Sequence, residues 1–235
     1  MFLIQIEKVY SIAMKVAVCF SGQLRSIDLT QKNIRKFLDE KFDDYKIFAH
    51  IPKDTFSENF SSYFPNSIIL IEDDPVIRRT RLKNKQFTSV ESKFTNLKAA
   101  KFAHMQQLYG IYMSNNLKID YEKKNSFTFD WVLRTRTDLK FYPGDLKLES
   151  LDDKYIYTPN FHHWNGINDR FVLGSSLNMD IFASLYSFIK KNRVSGFNAE
   201  NIFRNYLNHH NIPLQQLDNV KFNRIRGDGK EMQDF

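Results

Sequence analysis

Short apolar runs alternate with an amphipathic segment in the first half of the chain. Lys15–Phe20, Tyr45–Ile51 and Ser67–Pro75 are apolar and each runs into a glycine-containing or proline turn, which predicts three buried strands. Between the first two runs, helical periodicity predicts a helix that is capped by Asp28. The apolar face of this helix is predicted to consist of Leu29, Ile34, Phe37 and Leu38. Alternating strand and helix favour a largely parallel sheet with crossover connections, and hence an α/β fold.

The second half of the chain adds a long helix and further short strands. Apolar residues recur at helical spacing from Leu97 to Tyr112, which predicts a strong helix packed on the sheet. The segment "DWVLRTRTDLKF", Asp130–Phe141, follows and has the pattern of a buried strand. Two strands and two helices are expected after it, at Tyr155–Asn160, Asn168–Ser176, Met179–Lys190 and Ala199–His209. The polar tail from Asn223 contains glycine and is expected to be loosely held.

The length and composition suit one domain with one substantial core. The chain has 235 residues, of which 42% are hydrophobic. We expect a single domain at 14–235 and an N-terminal extension at 1–13, because Met14 directly precedes the first clear strand. The apolar runs are shorter than the ~18 residues that span a membrane, and the start lacks a signal-peptide cleavage pattern. A single cysteine, Cys19, excludes an intrachain disulfide and fits a reducing compartment, so a cytoplasmic location is expected.

The chain is basic, with a net charge of +7 and a pI of about 9.3. Such a surface attracts phosphates, nucleic acid and anionic lipid without choosing among them. The densest basic run, Arg78–Lys85, is interpreted either as a solvated loop or as a contact with an anionic acceptor or the periphery of a membrane. Nucleic-acid binding is an alternative function, but most aromatic residues fall in apolar strand or helix patterns. No nucleic-acid partner is therefore expected.

Polar residues gather where the predicted strands end, and ligands bind outside the carboxyl ends of the strands in an open parallel sheet. The clusters at that edge are Ser21–Arg25, Asp73–Asp74, Arg134–Asp138 and Asn168–Arg170. Because alternate residues share a strand face, Arg134, Arg136 and Asp138 are expected to point to one side. Three charges together need a partner, a ligand or open water. They are interpreted either as an Arg–Asp pair that satisfies itself or as a diphosphate site with a divalent ion on the aspartate.

Three motifs carry a family resemblance: "MKVAVCFSGQLRS", "DWVLRTRTDLKF" and "NGINDRFVLGSS", in this order. Together they resemble small GT-A-type nucleotide-sugar glycosyltransferases of bacterial and viral polysaccharide synthesis, from Met14 to about Pro213. The resemblance implies a GT-A-like, Rossmann-like fold with a mostly parallel central sheet flanked by helices. It also implies transfer of a sugar from a nucleotide-diphosphate donor, with UDP expected, to a glycan, lipid-linked or protein-linked sugar.

The resemblance further implies a metal ion. In GT-A enzymes a DxD motif after a central strand holds Mn²⁺ or Mg²⁺ against the donor diphosphate. The matching tripeptide here is "RTD", in which Asp138 corresponds to the metal-binding carboxylate. Arg136 replaces the first carboxylate, which leaves the strength of the metal dependence open. Arg136 is the alternative partner of the diphosphate.

The nucleotide and sugar pockets are assigned by the same resemblance. The donor is expected to contact Phe20, Ser21, Gly22, Gln23, Arg25, Arg134 and Arg136. Asp73 or Asp74 is expected to approach the base or ribose, and a turn before Pro75 is the alternative. Asn168 and Asp169 offer hydrogen bonds to sugar hydroxyls, or else they close a local turn. Trp164 is interpreted as either a sugar-stacking residue or a core residue.

The catalytic base is expected to be a carboxylate if the enzyme inverts configuration. The family's x-E-D motif at a helix start corresponds to "AEN" here, and Asn201 cannot act as a base. Glu200 or Asp169 is therefore the expected catalytic residue, with helix capping as the alternative for Glu200. A sugar-nucleotidyltransferase is the other enzymatic alternative. Its long glycine-rich loop is poorly matched by "SGQLRS", which is short and has one glycine.

Overall fold

A computed structural model of the chain describes residues 13–73, 97–192 and 199–235. The strands are β1 Lys15–Ser21, β2 Asp44–Pro52, β3 Ile68–Glu72, β4 Trp131–Thr135, β5 Leu139–Phe141, β6 Ile156–Pro159, β7 Phe171–Ser175, β8 Leu214–Leu217, β9 Phe222–Ile225 and β10 Glu231–Met232. The α-helices are α1 Ile27–Lys41, α2 Phe60–Tyr63, α3 Leu97–Asn125, α4 Ser176–Ala183, α5 Leu185–Lys191 and α6 Ala199–His209. Short 3₁₀ turns lie at Ser57–Asn59 and Leu148–Ser150.

The central sheet has seven strands in the order β3-β2-β1-β4-β7-β6-β8, and a small second sheet has the order β10-β9-β5. β3, β2, β1 and β4 are mutually parallel, and β6 is parallel to β8. β7 is antiparallel to both of its neighbours. The predicted α/β fold with a mostly parallel central sheet is therefore confirmed. The four parallel strands bring their carboxyl ends to one edge of this sheet.

Strand β1 separates two hydrophobic layers, because its side chains alternate between the two faces of the sheet. Val18 and Phe20 belong to a buried cluster that includes Ile34 of α1. Cys19 belongs to a second cluster that includes Leu108 of α3. Each fully buried side chain of this size contributes roughly 1.5–3 kcal/mol. Helices α1 and α3 are thus held against opposite faces, and the register of β1 is fixed.

Helix α1 starts differently from its prediction. Ser26 precedes the helix and Asp28 lies within its first turn, so the prediction that Asp28 caps the helix is wrong. Ser26 Oγ donates instead to the carbonyl oxygen of Ile225, 2.8 Å away. Leu29 is 55% exposed and does not belong to the buried face, whereas Ile34, Phe37 and Leu38 do. Asp28 still interacts favourably with the helix dipole from the first turn.

Asp130–Phe141 does not form the single strand that its pattern predicts. β4 ends at Thr135, and β5 belongs to the second sheet. Between the two strands, Thr137 Oγ1 donates to the carbonyl oxygen of Gln23 at 3.1 Å, which ties the break to the loop after β1. Arg134 lies within β4, and the chain leaves the sheet directly after Thr135, before Arg136 and Asp138; further charged side chains would be costly inside a buried sheet.

The tail is tied to the fold, so the prediction of a loosely held end is wrong. β9 pairs with β5 and β10 pairs with β9, both antiparallel. Arg224 donates two hydrogen bonds of 2.7 Å to the buried carboxylate of Asp234. Bidentate pairs of this kind are among the strong polar contacts in proteins. These hydrogen bonds hold the tail against the fold although its sequence is polar and contains glycine.

Other segments differ from the sequence pattern or lie outside the described residues. The predicted helix at Met179–Lys190 is two helices, α4 and α5, which meet at Ser184. Asp74, the basic run Arg78–Lys85 and residues 1–12 lie outside the described residues. Within the described ranges, none of the helices combines the length and the hydropathy that are needed to cross a bilayer.

A buried ionic network joins α3 to α4. Lys118 is fully buried, and its Nζ lies 3.0 Å from Glu122 Oε2 and 2.8 Å from Asp180 Oδ1. The same atom donates to Ser176 Oγ at 2.5 Å.

Burial raises the pKa of the neighbouring Cys19 thiol to about 12. Cys19 is therefore a small buried residue rather than a nucleophile.

We expect Lys118→Met to lower the free energy of unfolding by about 3–5 kcal/mol, because Glu122 and Asp180 then lose their buried cation. Lys124→Met, at an exposed position of the same helix, should change it by less than about 0.5 kcal/mol. Urea unfolding followed by circular dichroism measures both variants. Equal stability of the two would show that the network contributes nothing.

Candidate functional site

A cavity of about 370 Å³ opens at the carboxyl ends of β1 to β4. The predicted site residues that line it are Ser21, Gly22, Gln23, Arg25, Asp73, Arg134, Arg136 and Asp138. Helix α3 supplies a further wall with Gln107 and Gly110, and the segment after β9 adds Arg226 and Gly227. The structure therefore brings together residues from three of the four polar clusters that the sequence placed at this edge.

The loop after β1 reaches the cavity through an unusual backbone conformation. Gly22 has a φ of +117°, which lies in the region that side chains other than glycine rarely adopt. Apart from its chain neighbours, no described residue lies within 4 Å of the position that a Cβ would occupy there. The backbone angle, and not the available space, is thus the reason for a glycine at this position.

Arg134 is a buried cation at the cavity wall. It is only 2% exposed, and its Nε and Nη1 have no hydrogen-bond partner among the described residues. Burial lowers the pKa of its guanidinium to about 10, while the nearby Asp169 carboxylate acts in the opposite direction. The side chain therefore stays charged at neutral pH. Because a buried charge without hydrogen bonds is costly, this arrangement suits an anion that supplies the missing acceptors.

Arg136 forms a bidentate ion pair with Asp138. Arg136 Nε donates to Oδ1 at 2.8 Å and Nη2 donates to Oδ2 at 2.5 Å. Burial acts to raise the pKa of the Asp138 carboxyl, but the Arg136 guanidinium outweighs it and keeps that pKa below its ordinary value. The self-satisfied Arg–Asp pair, one of the two interpretations of this motif, is thus present. It stands next to Arg134, which is not satisfied.

The described residues do not fit a divalent ion held by Asp138 in this arrangement. Both carboxylate oxygens of Asp138 already accept hydrogen bonds from Arg136. Within 13–73, 97–192 and 199–235, no three His, Cys, Asp or Glu side chains come together in a group that could hold a metal ion. Hard divalent cations need several oxygen ligands. Asp138 would have to leave Arg136 before it could bind Mn²⁺ or Mg²⁺.

Sequence reasoning missed a group of hydrogen-bonded side chains at the ends of β2 and β3. His50 Nε2 lies 3.0 Å from Glu72 Oε2, and the Tyr109 hydroxyl donates to the same oxygen at 2.9 Å. His50 and Glu72 both line the cavity. The available signal was a polar residue near the end of each apolar run, in "FAHI" and "LIED".

Two predicted contacts of the donor lie in packed surroundings instead. Phe20 is fully buried, and its ring centroid lies 6.2 Å from that of Phe60 and 5.3 Å from that of Phe64. Asn168 is also fully buried, and its side-chain amide donates to the carbonyl oxygen of Phe161 at 2.8 Å. Phe20 therefore packs in the core, and Asn168 closes a local turn.

The remaining predicted residues lie outside the cavity lining. Trp164 is 59% exposed and lies beside His162, with ring centroids 5.7 Å apart. Asp169 is buried, and its Oδ2 accepts a hydrogen bond from Gln107, which does line the cavity. Glu200 is half-buried, and burial raises the pKa of its carboxyl. Trp164 is thus available for stacking, whereas Asp169 lies behind the cavity lining, hydrogen-bonded to Gln107 and near Arg134.

Comparisons with known proteins give a matching family model and a set of similar solved structures, two of which are glycosyltransferases. A family model described as Domain of unknown function (DUF7796) matches residues 11–222. The apo crystal structure of mouse xyloside xylosyltransferase 1 is similar with 10% identity, a TM-score of 0.42, and coverage of 88% of this chain and 85% of that one. A glycosyltransferase involved in the glycosylation of the major capsid of PBCV-1 has 11% identity, a TM-score of 0.42, and coverage of 87% and 82%. At such TM-scores neither likeness supports a conclusion. A search of curated proteins found no match.

We expect Arg134→Met and Arg136→Met to change stability in opposite directions. Arg134→Met removes a buried cation that lacks acceptors, so it should raise the free energy of unfolding by on the order of 1 kcal/mol. Arg136→Met leaves Asp138 unpaired and should lower it by about 1–3 kcal/mol. Urea titration of both variants and the wild type measures these changes. A destabilised Arg134→Met would show that this guanidinium is satisfied within the fold.

The effect of Arg136→Met should depend on pH. The pKa of Asp138 is lowered in the folded protein, so the pair stabilises the fold above the ordinary aspartate pKa of about 3.9. This contribution is lost as the pH falls through the lower folded pKa. The stability gap between wild type and variant should therefore close in acid. A gap that stays constant from neutral pH to about pH 2 would contradict the assignment.

Proposed function

The chain belongs to the family described as Domain of unknown function (DUF7796), and we propose that it is a glycosyltransferase that moves a sugar from a nucleotide-diphosphate donor to a hydroxyl acceptor. The observation that carries this proposal is the buried guanidinium of Arg134, at a cavity on the carboxyl edge of the parallel strands, with two nitrogens that have no partner among the described residues. The three sequence motifs that resemble GT-A enzymes support the reaction class.

A diphosphate supplies what Arg134 lacks. Its oxygens accept charge-assisted hydrogen bonds, which the planar guanidinium group forms in bidentate geometry. Arg25 and Arg226 also line the cavity, so a phosphate group there would meet further positive charge. Arg136 is paired with Asp138 and would join the diphosphate only if that pair opens.

The other end of the cavity suits the uncharged parts of a nucleotide sugar. The volume of about 370 Å³ lies within the range of roughly 300–1,000 Å³ that small-molecule sites occupy. Glu72 and Asp73 line the cavity at the end of β3. Carboxylates accept hydrogen bonds from hydroxyl groups, so Asp73 is the proposed contact with the ribose or base. Trp164 is the proposed stacking residue for a sugar ring.

The finer features of the reaction follow from the sequence motifs and remain part of the proposal. UDP is the proposed nucleotide, and a glycan, lipid-linked or protein-linked sugar is the proposed acceptor. Asp169 and Glu200 are the carboxylates that the family resemblance offers for the acceptor hydroxyl. The basic run Arg78–Lys85 is the proposed contact with an anionic acceptor or a membrane periphery.

We expect a UDP-sugar to raise the thermal midpoint of the protein more than a GDP- or TDP-sugar does. A ligand at 100 times its Kd stabilises the folded state by about 2.7 kcal/mol. Differential scanning fluorimetry measures the shift. Arg134→Met should abolish it, whereas Lys124→Met, which is remote from the cavity, should retain it. If no nucleotide sugar shifts the wild-type midpoint, the proposed function is wrong.

A weak divalent-ion contribution at Asp138 is a separate prediction. Because Arg136 occupies both oxygens of Asp138, Mn²⁺ or Mg²⁺ should add a smaller shift than the donor alone produces. Asp138→Ala should remove this increment, and Asp145→Ala, at an exposed position, should keep it. An increment that survives Asp138→Ala would contradict the metal assignment.

A further inference from the structure

Four polar side chains form a row along the carboxyl edge of the sheet: Glu72 of β3, His50 of β2, Ser21 of β1 and Arg134 of β4. Parallel pairing sets Ser21 beside His50 and Cys19 beside Arg134. Residues two apart on a strand share a face, so Ser21, His50 and Arg134 lie on the face that α3 covers. The row joins a carboxylate, an imidazole, a hydroxyl and a guanidinium in that order.

The orientation of His50 is fixed by its neighbours. Glu72 Oε2 lies 3.0 Å from His50 Nε2 and also accepts the hydrogen bond from Tyr109. The rings of His50 and Tyr109 meet edge to face, with centroids 5.2 Å apart. An ionised carboxylate only accepts hydrogen bonds, so Nε2 carries the hydrogen. His50 Nδ1 then has a free lone pair, which can take a proton.

Ser21 Oγ and His50 Nδ1 both approach α3 at Gly110, and no hydrogen bond joins the two atoms in this structure. A Cβ at Gly110 would lie 3.6 Å from Ser21 Oγ and 3.5 Å from His50 Nδ1. Ser21 Oγ is buried and has no hydrogen-bond partner among the described residues. A hydroxyl, an imidazole and an orienting carboxylate in series are the parts from which proton-transfer sites are built.

We propose that His50 is the base of the glycosyl transfer and that Ser21 passes the proton from the acceptor to it, an inference that rests on the proposed function. The acceptor oxygen bonds to the anomeric carbon while the bond from that carbon to the diphosphate oxygen breaks. The electron pair of the broken bond leaves with the nucleotide diphosphate. The Ser21 hydroxyl first turns toward His50 Nδ1; the acceptor proton then moves to Ser21 Oγ as the hydroxyl proton of Ser21 moves to Nδ1. Glu72 and Tyr109 are positioning residues.

The surroundings of His50 keep it ready to accept a proton. Burial lowers the pKa of its imidazole, and the Glu72 carboxylate acts in the opposite direction. Among the described residues, the titratable groups that face it are Glu72 from β3 and Tyr109 from α3, while Ser21 on β1 does not titrate. The imidazole is therefore neutral at neutral pH, which is the form that a base requires.

The carboxylates suggested by the family resemblance are less well placed for this step. Asp169 does not line the cavity, and its Oδ2 is engaged by Gln107. Glu200 opens helix α6 and does not line the cavity either. Ser21 lies beside the strand that carries Arg134, so a hydroxyl that contacts Ser21 is close to the proposed diphosphate site.

Hydrolysis of a nucleotide sugar measures this step without an identified acceptor, because water takes the acceptor's place. The probe is the UDP-, GDP- or TDP-sugar that stabilises the wild type most. His50→Gln and Ser21→Ala should each lower kcat by ~10²–10⁴-fold, while KM and the thermal shift by the donor stay nearly unchanged. Ser21→Ala is the second variant should His50→Gln fail to fold.

The wild-type kcat should fall in acid as His50 is protonated. Glu72→Gln should move this fall to lower pH, because Glu72 raises the pKa of His50.

The matched control is His209→Gln, an exposed histidine at the end of α6, which should keep the wild-type kcat. A weaker donor shift in His50→Gln with unchanged kcat would assign His50 to nucleoside binding and overturn the relay. Full kcat in both His50→Gln and Ser21→Ala, beside an active wild type, would overturn the relay alone. A wild type that shows neither thermal shift nor turnover would refute the proposed function and the relay with it.

Discussion

The cost of keeping a charged guanidinium away from water dominates this site. Arg134 stands near the end of β4, which has β1 on one side and β7 on the other, so it cannot turn to solvent as an arginine on an edge strand can. Two of its nitrogens lack acceptors within the described part of the chain, and burial depresses its pKa. The two hydrophobic layers on either side of β1 can offset this cost because they are extensive. Groups with strongly shifted pKa values are common at binding and catalytic sites.

The strand register places other polar side chains beside Arg134 at the carboxyl edge. The pairing of β1 with β2 and with β4 decides which side chains reach the carboxyl edge on the face of α3, and the same alternation fills the opposite face with Phe20 and its aromatic neighbours. The acidic end at β3 and the cationic end at β4 are three strand spacings apart, which is roughly 14 Å. An elongated polar ligand with one anionic end would therefore lie along the edge in a single direction.

The sequence predicted this edge better than it predicted its individual contacts. The apolar runs that end in "SGQLRS" and in "RTRTD" placed the cavity correctly, because parallel strands must bring their carboxyl ends together. Phe20 was misjudged since one residue along a strand changes the face, and the pattern alone does not show which face bears the ligand. His50 and Glu72 were missed because a single polar residue in an apolar run carries little weight until its partner is known. The tail strands depend on pairing with β5, a contact between distant segments that periodicity cannot reveal.

The hydrogen bond from Ser26 to Ile225 joins positions 199 residues apart. Segments so distant meet only after a large loss of loop entropy, and contacts of this kind form slowly compared with local helices. The wall made by Arg226 and Gly227 is thus completed only when the end of the chain has packed against the loop after β1. A partly folded chain would carry the Arg134 guanidinium without the completed cavity around it. Retention of an anion would then distinguish completely folded molecules from compact intermediates.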